Sequence, residues 1–225
     1  MYIYLFNFFN IMPLHFETPK STFIHIPKNA GNSFEQWVIE NKIQYENKFN
    51  HCNLTQAREL WQDLGTVFSF VRNPFSRTVS IFHYLGQHAE RKIREKRSVN
   101  LLDDLKTLNL YKKGFDYWLN CLFDENSEFN EKFEITNTNG ESTWPRRAPQ
   151  GFWFNWEKID LVIKIEELDK EVANLRELFK IKSSSKIPMI NTSDHKEYKT
   201  YYNKENVKII RTMFEYDLNS FNYDF

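Results

Sequence analysis

Cysteine is scarce in this chain: Cys52 and Cys121 are the only two. They are too few and too far apart for a disulfide scaffold or a zinc knuckle, which points to a reducing compartment. Net charge is absent as well, because 30 lysines and arginines balance 30 acidic residues. A globally basic nucleic-acid binder is thereby disfavoured. The apolar N-terminal stretch from Met1 to Leu14 is broken by Asn7 and Asn10 and is too short to span a bilayer. It has neither the basic region nor the small-residue cleavage site of a secretory signal. Residues 1–20 therefore read as an N-terminal arm or edge strand, and the protein as cytoplasmic with no transmembrane segment. No stretch has a linker's composition, and no internal repeat is visible.

What is present is aromatic. Phenylalanine alone accounts for 21 of 225 residues, which favours a packed globular chain over disorder. The length suits one α/β domain with a substantial core, taken here as residues 1–225. Thr22–Ile26, Thr66–Val71 and Asp160–Ile165 have the composition of buried strands. Helical patterns cover Ser33–Asn47, Leu54–Leu64, a stretch from Asn73-Pro74 to about Arg97, Ser98–Leu110, Phe115–Phe123, Glu166–Phe179 and Glu205–Asn219. In the last of these, Val207, Ile210, Met213, Phe214 and Leu218 form the apolar stripe. Residues 124–151 read as an irregular loop or hairpin. Strands alternating with helices predict a central parallel sheet flanked by helices, in a single P-loop-like α/β domain. In such sheets ligands sit at the carboxyl ends of the strands.

Two segments fall at such ends. Phe23-Ile-His-Ile-Pro-Lys-Asn-Ala-Gly-Asn-Ser-Phe34 runs from a strand through a tight loop into a helix. Backbone N–H groups at a helix N-terminus favour anions, and Lys28 adds a full positive charge. Lys28 precedes Gly31 by three residues, whereas a Walker A lysine follows the second glycine. A standard ATP or GTP site, and with it a nucleotide kinase, is disfavoured. The second segment, Val71-Arg-Asn-Pro-Phe-Ser-Arg-Thr-Val-Ser80, sets Arg72 at a strand end and opens a helix with Asn73-Pro74. The planar fork of an arginine suits a phosphate dianion, and Ser80 can donate from the same helix. Each segment also has a plain structural reading: a helix start common to α/β proteins, and a surface ion-pair arginine.

Taken together, the two segments resemble the sulfotransferases that use 3′-phosphoadenosine-5′-phosphosulfate (PAPS). The first is similar to that family's 5′-phosphosulfate loop and the second to its 3′-phosphate segment. The wording His-Ile-Pro-Lys and Val-Arg-Asn-Pro-Phe-Ser-Arg looks most like the carbohydrate-modifying branch, which includes the heparan sulfate 2-O-sulfotransferases. Pro149-Gln150 with Asp160–Leu168, Asn191–Tyr198 with its Ser193, and Asp217–Phe225 extend the likeness over most of residues 22–225. Asn29 and Asn32 depart from it, since the branch usually has threonine there; asparagine can also donate to a phosphate.

The resemblance implies a donor, PAPS, and a product, 3′-phosphoadenosine-5′-phosphate (PAP). It implies that Lys28 contacts the bridging oxygen, that Asn29, Ala30, Gly31, Asn32 and Ser33 hold the 5′-phosphate, that Arg72 and Ser80 hold the 3′-phosphate, and that Ser193 belongs to a cofactor-covering loop. His51, in Phe49-Asn-His-Cys-Asn, falls where the carbohydrate branch has a histidine read as its catalytic base. The scheme requires no metal, and His83 and His88, five apart, do not share a helical face. His25 reads as a core histidine, His195 as a residue able to touch cofactor or acceptor, and Glu35 as a second base candidate. Trp144, Arg146 and Arg147 combine a ring for sugar stacking with charge for an anionic group, or form an ordinary surface loop. The run Arg91–Arg97 reads as a solvated helix face, or as a contact for a polyanionic chain. The expected activity is sulfuryl transfer to a saccharide hydroxyl. A small alcohol or phenol acceptor, or a catalytically silent nucleotide-binding module, are the alternatives.

Overall fold

The structure, a computed structural model, describes residues 13–47, 52–123, 148–182, 184–190 and 195–225. In chain order its elements are β1 (Leu14–Glu17), β2 (Lys20–Ile24), α1 (Gly31–Glu40), α2 (Leu54–Leu60), β3 (Thr66–Val71), α3 (Pro74–Arg94), α4 (Leu101–Lys112), α5 (Phe115–Phe123), α6 (Gln150–Trp153), β4 (Leu161–Lys164), α7 (Leu168–Leu178), α8 (Lys204–Met213) and α9 (Glu215–Ser220). They fall into two compact units, Met1–Val71 with Phe152–Asn191, and Arg72–Gly151 with Thr192–Phe225. Among the described residues no helix is long and apolar enough to cross a membrane.

The first unit is an α/β layer on one sheet of order β1-β2-β3-β4. β2, β3 and β4 are parallel, as the alternation of strands and helices predicts. β1 is antiparallel to β2, because the two residues joining them permit no crossover. Phe68 and Phe70 lie two apart on β3 and so share a face, where they meet Phe23 of β2 and Phe34 of α1. Phe16, Trp37, Leu175 and Phe179 complete this core. Each large apolar side chain so buried contributes roughly 1.5–3 kcal/mol, so the phenylalanine richness of the sequence is what fastens α1 and α7 to the sheet. Gly65 enters β3 at φ 59, where a Cβ would come within 2.1 Å of the Lys20 carbonyl oxygen.

The second unit is helical. Phe75, Val79, Phe82, Trp118, Leu119, Ile210, Phe214 and Leu218 pack α3, α5, α8 and α9 around a common core. Asn73 caps α3 by accepting from the Phe75 N–H at 3.0 Å, with Pro74 at the first helical position, as the sequence predicts.

Several boundaries differ from expectation for local reasons. β2 ends at Ile24, so His25 lies beyond the strand and not inside it. α1 starts at Gly31 and stops at Glu40, short of Asn47: the Asn41 amide takes the Trp37 carbonyl and Lys42 turns left-handed at φ 56. α2 stops at Leu60, and α3 at Arg94. The long terminal helix is two, divided at Phe214, whose φ of -116 leaves the helical region.

Candidate active site

The loop between β2 and α1 is fixed by its own polar groups. Asn29 is fully buried, and its Nδ2–H donates to the Phe70 carbonyl of β3 at 2.8 Å. Its backbone N–H turns back to the Ile26 carbonyl at 3.3 Å. The asparagine side chain therefore ties the loop to the sheet. On either side of it, Lys28 (φ 71) and Ala30 (φ 59) adopt left-handed conformations. Each costs a non-glycine residue about 1 kcal/mol, and strain of this kind concentrates where a loop is shaped for a task. Ala30 is the N-cap of α1, and no side chain caps that helix start. The leading N–H groups of Gly31, Asn32 and Ser33 have no earlier helical carbonyl to bond. They therefore present an electropositive helix end close to Lys28 in the chain, which suits an anion.

Gly31 is required by close approach. A Cβ there would lie 1.8 Å from Cδ2 of His25, whose ring is buried against the glycine. The Ser33 hydroxyl accepts from the Ile190 N–H at 3.3 Å, which leaves its own proton to donate. Glu35, one turn further, is buried. Tyr45 donates to its Oε1 at 3.1 Å, and burial holds the carboxyl above its ordinary pKa. The Tyr45 phenol is pushed up to about 12 by burial and by Glu35.

Arg72 directly follows β3 and opens the second unit. Its Nε–H donates to Ser76 Oγ at 3.0 Å, one turn along α3. Its peptide is gripped twice by Gln150: the Arg72 N–H donates to Oε1 at 2.8 Å and Nε2–H donates to the Arg72 carbonyl at 2.9 Å. Gln150 is held in turn by Asp217 of α9. That carboxylate accepts from the Gln150 N–H at 2.7 Å, from the Gly151 N–H at 2.9 Å and from Gln150 Nε2–H at 3.3 Å. Burial raises the Asp217 pKa against the pull of these bonds and of Arg77. Arg77 is itself buried at 1% exposure, donates to the Ala148 carbonyl at 2.7 Å and is lowered to about 10 by desolvation. Ser80, one turn beyond, is buried on the same helix.

Other expected site residues are placed less directly. His51, Trp144, Arg146, Arg147 and Ser193 lie outside the described residues. His195 stacks on His83 with ring centroids 5.2 Å apart, and His83 is held by the hydroxyls of Tyr111 and Tyr201. A cavity of about 530 Å³ opens beside Asn41, Lys42, Lys180 and Lys182. It sits at the C-terminal end of α1, opposite the Lys28 loop, and no loop residue lines it.

The sulfotransferase family model matches residues 14–224. The chain belongs to the sulfotransferase family. No curated protein and no solved structure matches it. As a sulfotransferase it catalyses sulfuryl transfer, for which the family generally uses PAPS and releases PAP, and the acceptor carries a hydroxyl. The sequence motifs led to this family from two loops alone; they did not disclose Gln150 and Asp217 as the supports of Arg72. One signal was available for the sulfotransferase's Asp217. It stands seven residues after Ile210 and three after Phe214, on the stripe that is otherwise apolar.

Proposed function

We propose that this sulfotransferase transfers the sulfuryl group of PAPS to a saccharide hydroxyl, as the heparan sulfate 2-O type does, with His51 as general base. The observation that carries the reading is the β2–α1 loop: an uncapped helix start, two left-handed residues and Lys28 in a family whose donor is a phosphosulfate. The donor supplies an activated sulfuryl group. Lys28 stabilises the charge that grows on the bridging oxygen as its bond to sulfur breaks. The N–H groups of Ala30, Gly31, Asn32 and Ser33, with the Ser33 hydroxyl, hold the 5′-phosphate. Asn29 contributes by fixing the loop. Arg72 and Ser80 take the 3′-phosphate, which separates PAPS from plain adenylates. Ser193 covers the nucleotide. On the acceptor side, the oxygen bonds to sulfur while His51 receives its proton, and PAP leaves. Trp144 stacks on the sugar and Arg146 and Arg147 meet an anionic substituent.

A single catalytic domain is part of this reading, because the family match runs through both compact units. A cytoplasmic location is supported by Cys52 and Cys121, both free.

The test is a sulfuryl-transfer assay with PAPS against a panel of glycans, simple alcohols and phenols. Transfer to glycans is expected; transfer to phenols alone would move the acceptor to the small-molecule class, and no transfer with intact PAP binding would favour a silent module. His51→Ala is expected to keep PAP binding and lose turnover. Wild-type rates in that variant would move the base elsewhere, Glu35 being the buried carboxyl to test next.

A further inference from the structure

We propose that Gln150 and Asp217 are positioning residues for the nucleotide's 3′-phosphate, acting through Arg72. The proposal rests on the reading of Arg72 as the 3′-phosphate ligand. An arginine that recognises a dianion through a fixed fork loses its advantage if its backbone is free to shift. Arg72 stands at the junction where the sheet strand β3 ends and α3 is about to begin. Gln150 grips both of its peptide groups as a neighbouring strand would, with a reciprocal N–H and C=O pair at 2.8 and 2.9 Å. A side-chain amide can do this in only one orientation, and Asp217 selects it: its Oδ2 receives both the Gln150 backbone N–H and Nε2–H, so Oε1 faces the Arg72 N–H.

The chemistry of each member is specific. Asp217 must be a carboxylate, because it accepts on both oxygens, from Gln150 and from Gly151. An asparagine there would turn an NH2 group toward one of those donors. It is tolerated in the interior because Arg77, equally buried, supplies opposite charge from α3. Gln150 must be an amide, because it donates to one peptide group and accepts from the other. Residues 67 positions apart in sequence are thus joined to set one arginine.

The experiment measures dissociation constants for PAP and for 5′-AMP by titration calorimetry. The proteins are the wild-type chain, Gln150→Glu, Asp217→Asn, Arg72→Ala and the Gln150→Glu/Arg72→Ala double variant. AMP lacks the 3′-phosphate, so it reports on everything except the contact in question. Wild type is expected to prefer PAP. Gln150→Glu and Asp217→Asn are each expected to weaken PAP by about tenfold, the loss of one charge-assisted contact, with AMP within twofold of wild type. On the Arg72→Ala background, Gln150→Glu is expected to change the PAP-to-AMP ratio no further. Equal weakening of both ligands, an unchanged ratio in Gln150→Glu, or an additive effect in the double variant overturns the positioning role. A wild-type ratio of one overturns the donor reading itself, and the proposal with it. If Asp217→Asn or Gln150→Glu does not fold, Gln150→Ala, which puts no new charge beside Asp217, takes its place in the same titrations, alone and with Arg72→Ala, and decides the matter.

Discussion

Asn29→Asp asks whether the Lys28 loop is anchored through a donated hydrogen bond. The wild-type amide is fully buried and donates to the Phe70 carbonyl at 2.8 Å, while the other side-chain donor to that oxygen, Ser69, is weaker at 3.4 Å. Removing the anchor by Asn29→Ala leaves a buried carbonyl short of a donor, which costs about 1–3 kcal/mol. For a chain of this size each kcal/mol lowers Tm by about 2–4 °C. Asn29→Asp keeps the shape but points a carboxylate at a carbonyl in the interior, so at neutral pH it is expected to be less stable than the alanine variant. Burial raises the folded-state pKa of such an aspartate above its unfolded value of about 3.9. Its deficit is therefore present at neutral pH and recovers as pH falls through the folded pKa, where a protonated carboxyl can donate to Phe70 again. Thermal unfolding by circular dichroism at several pH values between 7 and 5 reads this out. If all three proteins melt within 1 °C of one another at pH 7, or if Asp matches Asn throughout, the anchoring role is wrong.

Gly31→Ala places a methyl 1.8 Å from the His25 ring. It is expected to cost about 1–3 kcal/mol as overpacking, and His25→Ala in the same chain should restore part of that loss, a coupling measurable by a double-mutant cycle in urea. Glu35 has its carboxyl pKa raised by burial. Its contribution to stability is complete below the unfolded value and is lost as pH rises through the folded one. Glu35→Gln is expected to flatten that fall in a stability–pH profile; a slope identical to wild type would show that the carboxyl does not drive it.

Where local chemistry decides, the sequence was readable. Thr66–Val71 is a strand over the residues its β-branched and aromatic content marks, and Asn73-Pro74 opens α3 as a cap and first residue. The stop of α1 was hidden, because Asn41 competes for a helical carbonyl only once the helix exists. The anchor made by Asn29 is unreadable for a related reason: an amide suits a phosphate and a buried carbonyl equally well in sequence, and only the placement of β3 beside the loop shows the bond to Phe70. Gln150 and Asp217 are linked over a separation that no local periodicity reports. Asp217 nonetheless left a trace, as a charge on a stripe of core residues.

The most direct measurement is the melting temperature of the wild-type protein with PAP, AMP or ATP at equal concentration. At about one hundred times the Kd, a ligand that binds only the folded state adds about 2.7 kcal/mol, or roughly 5–11 °C for a chain of this size. PAP is expected to give a shift of that order, and AMP and ATP much less. No shift with millimolar PAP, or equal shifts with all three nucleotides, would contradict a donor held by its 5′ and 3′ phosphates.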